Sequence, residues 1–339
     1  MANINTVTGE IDSRHLGRVL MHEHVFVINH EYQVNYPRTW DDELRTADAI
    51  AKLVALKEAG IDTIVDLTVL GLGRDIRRVR AVADRSPVTI VAATGFYTFT
   101  ELPTYLRLKG PGRLIGGDEP MVEMFVRDIT EGIGDTGIRA GILKCATDAP
   151  GVTPDVERVL RSVARAHLET GVPISTHTDA STQRGLDQQK IFVEEGVDLG
   201  AVIIGHSGDS DDFDYLQRLL DNGSYLGMDR FGLDSKLAFD KRVATVAELV
   251  RRGYAERMVL SHDASCHSHN FPDDYRAQHL PNWKLTHISE DVLPALLDAG
   301  VTQRDIDIML VDNPRAILAG RSQSVGDRQL SRPAPVAGS

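Results

Sequence analysis

Nothing in this chain limits its fold more than a regular alternation of short apolar runs with helical stretches. The β-branched apolar runs fall at residues 18–25, 63–67, 89–94, 138–145, 173–177, 202–206, 224–228 and 258–263, and are read as strands. Helical spacing fills the intervals, for example over 47–59, 75–83, 122–133, 154–169, 186–195, 213–220 and 243–252. Several helical stretches stop at a glycine, as at Gly60, Gly171, Gly196 and Gly253, which closes a helix in the left-handed conformation. Strand and helix alternating in this way predict an α/β protein whose parallel sheet closes into a single (β/α)8 TIM barrel. The 339 residues suit one such barrel. The runner-up is an open doubly wound sheet, which needs a phosphate-cradling glycine loop after its first strand. The first strand here runs instead into Met21-His22-Glu23-His24.

No internal boundary or repeat divides the chain. The barrel is expected to take up residues 1–320, and the polar residues 321–339 to form a disordered tail. Two connections, 98–119 and 264–288, are longer than simple turns. Long loops at the C-terminal face of a barrel usually carry function. The chain has 37 basic and 49 acidic residues and a net charge of −12, which disfavours nucleic acid and anionic membranes as partners. The first residues lack the basic start and apolar run of a signal peptide. No stretch reaches the roughly 18 apolar residues of a membrane helix. With only Cys145 and Cys266, a reduced, cytoplasmic setting is expected.

His22 and His24 are two apart on a strand, so their side chains share one face. His177 closes the fifth strand, His206 the sixth and Asp263 the eighth. The barrel gathers strand C-termini around its active site. Four histidines and an aspartate converging there make a metal site of nitrogen and oxygen donors. Lys144 stands in the otherwise apolar run Ala140-Gly141-Ile142-Leu143-Lys144-Cys145. Burial lowers a lysine pKa. The neutral amine can then take up CO₂ to form a carbamate, an anion with two oxygens that can bridge metals. Its other reading is a lysine with a buried stem and an ammonium at the barrel mouth. With two divalent ions, a carbamate, Asp263 and a hydroxide, one positive charge remains to polarise a carbonyl or phosphoryl oxygen.

Taken in order, Met21-His22-Glu23-His24, Gly141-Ile142-Leu143-Lys144-Cys145, Ile174-Ser175-Thr176-His177-Thr178, Ile204-Gly205-His206, Gly227-Met228-Asp229-Arg230-Phe231-Gly232 and Leu260-Ser261-His262-Asp263 resemble the phosphotriesterase family of the amidohydrolase superfamily. The likeness is greatest to its lactonase branch, the phosphotriesterase-like lactonases, and runs from about residue 3 to about residue 320. The resemblance implies that His22, His24 and Asp263 hold the more buried metal, and His177 and His206 the more exposed one. Carbamylated Lys144 and a hydroxide would bridge the two. Zinc is the first expectation, with cobalt, manganese or iron as alternatives. Asp263 would also take up the proton after attack. Tyr97 would touch the metal-bound water or the substrate carbonyl, and Arg230 would orient the substrate. Cys266, Phe271 and Trp283 lie in the 264–288 loop, which in family members shapes the acyl-chain pocket. The resemblance also suggests a homodimer. His267 and His269 in that loop are read as solvated rather than as a further metal site, and His262 as structural.

The leading expectation is therefore a binuclear-metal hydrolase that opens lactones, including the N-acyl-homoserine lactones of quorum quenching, with slow phosphotriesterase activity. The alternatives are a phosphotriesterase or other ester or cyclic-amide hydrolase, and, from another class, a barrel that binds metal or ligand without turnover.

Overall fold

Strand pairing in the computed structural model, which describes residues 2–272 and 274–320, runs in sequence order around a ring. The chain opens with an antiparallel hairpin, β1 (Asn3–Thr6) and β2 (Gly9–Asp12). Eight parallel strands follow: β3 (Val19–Val27), β4 (Thr63–Asp66), β5 (Thr89–Gly95), β6 (Ile142–Ala146), β7 (Ile174–His177), β8 (Val202–Ile204), β9 (Tyr225–Met228) and β10 (Met258–Leu260). Each pairs with its sequence neighbour. The ring closes through a further short strand, β11 (Ser265–Ser268), which pairs with β3 and sets Ser265 opposite His24. This is the (β/α)8 TIM barrel that the alternation predicts. The residues expected as a C-terminal tail, 321–339, lie outside the described residues. Among the described residues no helix is long and apolar enough to cross a membrane.

Two apolar layers follow from the period-2 pattern of the strands. Val19, Met21, Val65, Val91, Ile142, Ile203 and Val259 fill the barrel interior. Leu20, Ile64, Ile90, Leu143, Ile174, Ile204 and Leu260 face the helices. The expected helices are present with small shifts, among them Asp42–Glu58, Ile76–Ala83, Pro154–Thr170 and Arg184–Glu195. The β1–β2 hairpin was not anticipated. It sends Ile4 into the interior layer and plugs the N-terminal mouth. The hairpin also explains why β6 begins at Ile142 rather than at residue 138. A Cβ on Gly141 would stand 2.9 Å from the Asn5 carbonyl oxygen, so the chain passes there in close contact with the hairpin.

Two departures from regular strands set up the C-terminal mouth. The pairing of β3 with β4 shifts register between Leu20 and Glu23. Such a bulge lets consecutive residues face the same way. Met21 therefore belongs to the interior layer while His22, its neighbour, also points inward. The last strand, expected unbroken over 258–263, is interrupted instead. It stops at Leu260, turns through Asp263 at φ +56°, and resumes as β11. A non-glycine residue in this left-handed region is strained and must be held there. Buried Glu23 does the holding: its carboxylate accepts from the His262 N–H at 2.9 Å, the His262 ring at 2.7 Å and the Ala264 N–H at 2.9 Å. Glu23→Gln should therefore destabilise the fold by about 2–4 kcal/mol in chemical denaturation. A change under about 0.5 kcal/mol, the scale of neutral surface substitutions, would dismiss Glu23 as the clamp.

Candidate active site

The donor residues sit where the interior layer ends. Five barrel strands, β3, β6, β7, β8 and β10, carry the donor residues in or just beyond their C-terminal parts. His22 and His24 come from β3, Lys144 from β6, His177 from the end of β7. His206 follows β8 and Asp263 follows β10. His206, like Asp263, has a left-handed backbone, at φ +60°. It is held by its own N–H, which donates to Asp229 at 2.7 Å. The preceding Gly205 allows this turn: a Cβ there would lie 2.0 Å from the Thr176 carbonyl oxygen.

The donor atoms converge. Lys144 Nζ lies 3.1 Å from His22 Nε2, which is 3.3 Å from Asp263 Oδ1. The same oxygen is 3.0 Å from His24 Nε2. Asp263 Oδ2 is 3.6 Å from His206 Nε2, which is 2.9 Å from His177 Nδ1. Two ligand atoms on one tetrahedral ion at about 2.0–2.1 Å stand roughly 3.3 Å apart. The donor spacing therefore fits metal binding, and Asp263 offers one oxygen to each half of the cluster. His22, His24 and Asp263 form one group able to hold a metal ion. Proximity also groups His22 and His206 with Asp229. Asp229, however, bonds the outer nitrogens, at 2.8 Å from His22 Nδ1 and 3.0 Å from His206 Nδ1. It turns both Nε2 atoms toward the cluster and is better placed to orient ligands than to be one.

Other orienting bonds complete this layer. His177 Nε2 is held by Asp148 at 2.7 Å, which leaves Nδ1 for the cluster. His24 Nδ1 meets the Thr68 hydroxyl at 2.8 Å, and that hydroxyl is in turn bonded to Asp66 at 2.6 Å. Arg230 Nε donates to Asp263 Oδ2 at 2.9 Å and its Nη1 to Asp209 at 3.1 Å. The Tyr97 hydroxyl stands 3.3 Å from His177 Nδ1.

Burial and charge set the protonation states. Lys144 is 1% exposed, and burial brings its pKa down to about 8. Burial lowers His22, takes His177 to about 4 and puts His206 well below its ordinary value. These three are neutral at pH 7, the form that binds a metal. Burial pushes the Asp263 carboxyl up, but the Arg230 guanidinium and the hydrogen bond with His24 outweigh it and hold the group well below the usual carboxylate range. Arg230 stays charged: burial works against it, yet Asp263 and Asp209 prevail. Burial raises the Tyr97 phenol, with Asp263 adding to the effect, so it keeps its proton.

His22, His24, Tyr97, Lys144, His177, Arg230, Asp263, Phe271 and Trp283 thus line one pocket of about 180 Å³, and fully buried His206 lies behind His177. Cys266 is placed elsewhere. Its thiol is buried in the layer facing the helices and is not part of the pocket lining. The expectation that Cys266 to His269 form a solvated loop is also corrected. Residues 265–268 are strand β11, and His267 is buried with its ring edge-on to Trp40 at 5.5 Å. His262 is structural, bonded to Glu23 and accepting from the Ile288 N–H. Asp229, Asp148 and Glu23 carry roles that no local sequence pattern signals. Asp229 and Glu23 stood inside the quoted motifs, beside residues that were singled out.

Fold and cluster together define the class: an α/β barrel with candidate metal-ligand groups gathered at the C-terminal ends of its strands. The chain belongs to the phosphotriesterase family, whose model matches residues 2–318. It is 57% identical over 318 residues to the "Phosphotriesterase homology protein" of Mycobacterium tuberculosis strain H37Rv, covering 94% of this chain and 98% of that protein. It is 38% identical to the "Aryldialkylphosphatase" of Saccharolobus solfataricus, covering 90% and 96% of the two chains. The solved structure of the phosphotriesterase from Mycobacterium tuberculosis superposes with a TM-score of 0.92 at 56% identity, covering 93% and 98%.

Proposed function

We propose that this protein is a metal-dependent hydrolase that opens lactones, N-acyl-homoserine lactones and simple γ- and δ-lactones among them, and attacks phosphotriesters slowly. In this reading two divalent cations, zinc first, are held by His22, His24, His177, His206, Asp263 and a carbamylated Lys144. Bound there, they would supply Lewis acidity and lower the pKa of a coordinated water. The remaining chemistry belongs to the side chains. The neutral Lys144 amine adds through its lone pair to the carbon of CO₂, breaking one C=O π bond, and releases one N–H proton to solvent in the pocket, which leaves an anionic carbamate. The Tyr97 hydroxyl, which keeps its proton, donates to the substrate carbonyl oxygen as negative charge gathers there. Asp263, ionised before attack, accepts the proton that the nucleophile gives up. Arg230, tied between Asp263 and Asp209, keeps that carboxylate in place and directs the substrate.

One observation carries the choice of substrate. The apolar lining, Val27, Leu72, Phe271 and Trp283, comes only from β3 and the connections after β4 and β10, which are neighbours around the ring. That side also carries the polar His22, His24, Asp263, Ser265, Ser268 and Asn270, whereas the other side contributes only polar groups, Tyr97, Lys144, His177 and Arg230. A lactone needs one apolar direction, for one chain. A phosphotriester carries three ester arms on a tetrahedral phosphorus and needs several. The name of the archaeal relative favours a second reading, a phosphotriesterase proper. A panel of γ- and δ-lactones, acyl-homoserine lactones and paraoxon on the metal-loaded protein separates the two. Each buried CH₂ contributes about 0.8 kcal/mol at most. Medium-chain lactones should exceed any phosphotriester in kcat/KM by at least roughly 10²-fold, about 2.7 kcal/mol of differential transition-state binding. Faster turnover of paraoxon would transfer the assignment to phosphotriesters, and no turnover of either class would leave another ester or cyclic-amide hydrolase or a binding barrel.

A further inference from the structure

A second cleft, of about 410 Å³, opens beside the pocket over the donor cluster and shares only Ser265 and Trp283 with it. It lies between the helix Asp42–Glu58, β11 and the chain at 276–286. Its size falls in the range of about 300–1,000 Å³ typical of small-molecule pockets. Ala55, Leu280, Trp283 and Leu285 give it apolar walls, and Lys52, Arg276 and Lys284 stand around them.

The three cations are not equivalent. Lys52 is paired with Asp48 at 2.7 Å and also donates to the Cys266 carbonyl. Lys284 is paired with Glu290. Arg276 has no carboxylate within ion-pair distance among the described residues. Its Nη1 donates to the carbonyl and hydroxyl of Ser265 at 2.8 and 3.0 Å. Its Nη2 makes only a 3.5 Å contact with the Cys266 carbonyl, and the guanidinium lies 5.7 Å from the Trp283 ring. Two backbone carbonyls and an indole hold this group in one place without neutralising it. One positive charge is therefore left over at an apolar cleft, in a chain whose net charge is −12. A guanidinium presents a planar fork of N–H donors that matches a carboxylate.

We infer that this cleft binds an amphiphilic monocarboxylate, a medium-chain fatty acid being the simplest. Its carboxylate takes the free edge of Arg276, and its alkyl chain lies along Ala55, Leu280, Trp283 and Leu285. The site adjoins the hydrolytic pocket, from which Ser265 and Trp283 divide it, and does not depend on the substrate proposed for that pocket. Among the described residues the other two cations of the cleft, Lys52 and Lys284, are each already paired with a carboxylate, which disfavours a dianion, and the apolar walls leave the hydroxyls of a sugar without partners.

The test is equilibrium binding of decanoate to the metal-loaded protein, with decanol and butyrate as controls. Two variants alter opposite walls: Arg276→Gln removes the charge, and Ala55→Trp fills the cleft from the helix side. Decanoate should bind saturably at one site per chain, and decanol and butyrate at least ten-fold more weakly. Each variant should weaken decanoate at least ten-fold while metal content, melting temperature and hydrolysis of a short lactone stay near those of the unaltered protein. Equal binding of decanol overturns the role of the charge. Decanoate binding that survives in both variants places the ligand at the metal cluster instead and overturns the site. So does the absence of saturable binding. If one variant fails to fold, the other decides.

Discussion

Lys144→Ala should strip the cluster of most of its metal and lower kcat by at least roughly 10³-fold, the scale expected when a metal's several kcal/mol of charge stabilisation are lost. The reason lies in the surroundings of the side chain. Its Nζ is 3.0 Å from the Thr176 carbonyl and 3.1 Å from His22 Nε2, and the side chain is almost fully buried at the floor of the pocket. An ammonium there would repel a metal. The amine, with a pKa brought to about 8 by burial, has a neutral fraction ready for CO₂ at neutral pH. The proposed carbamate would convert the position from a cation to an anion. Alanine leaves a gap of matching size, so acetate or propionate added to the buffer should restore part of both metal content and activity. Metal content by elemental analysis and kcat with and without added carboxylate are the two measurements. Full activity in the unrescued variant would refute the bridging role.

Asp263→Asn should lower kcat by at least roughly 10²-fold, the scale of a positioned general base. Asparagine keeps the shape and an oxygen donor but removes the negative charge and the capacity to accept a proton. Asp263 is the point where the halves of the cluster meet: Oδ1 serves His22 and His24, Oδ2 serves His206 and Arg230. The same substitution should weaken metal retention, which titration with a chelator would read. A loss confined to KM, with kcat unchanged, would show that Asp263 only helps binding.

Several features of the fold and the candidate site were legible because the physics behind them is local. Period-2 runs and helical spacing need only a few consecutive residues, so the eight strands and the order of helices could be read directly. Polar residues at the tips of such runs, His177 after Ile174-Ser175-Thr176 and His206 after Ile203-Ile204-Gly205, stand out by position alone. The oddity of Lys144 in an apolar strand is equally local. Tyr97 and Arg230 carried no such signal and came from the family resemblance, and the structure sets both at the rim of the cluster.

The orienting carboxylates were not legible in this way. Asp148 is 29 residues from His177, Asp229 is 207 from His22 and Glu23 is 239 from His262. No periodicity links partners so far apart: pairing of β6 with β7 sets Asp148 beside His177, and closure of the ring brings β3 to the residues after β9 and β10. Sequence by itself determined the barrel and the residue types at its mouth, because side-chain alternation and strand ends are properties of short segments. Tertiary structure alone decided which nitrogen each histidine presents, since Asp229 and Asp148 occupy the opposite ring atoms. It also decided that a bulge turns His22 inward beside Met21 and that the last strand breaks at Asp263. Cys266 went to the core and Trp283 to the wall between two clefts for the same reason. A loop residue's neighbours are set by what the closed ring packs against it, and its own sequence surroundings contain no trace of them.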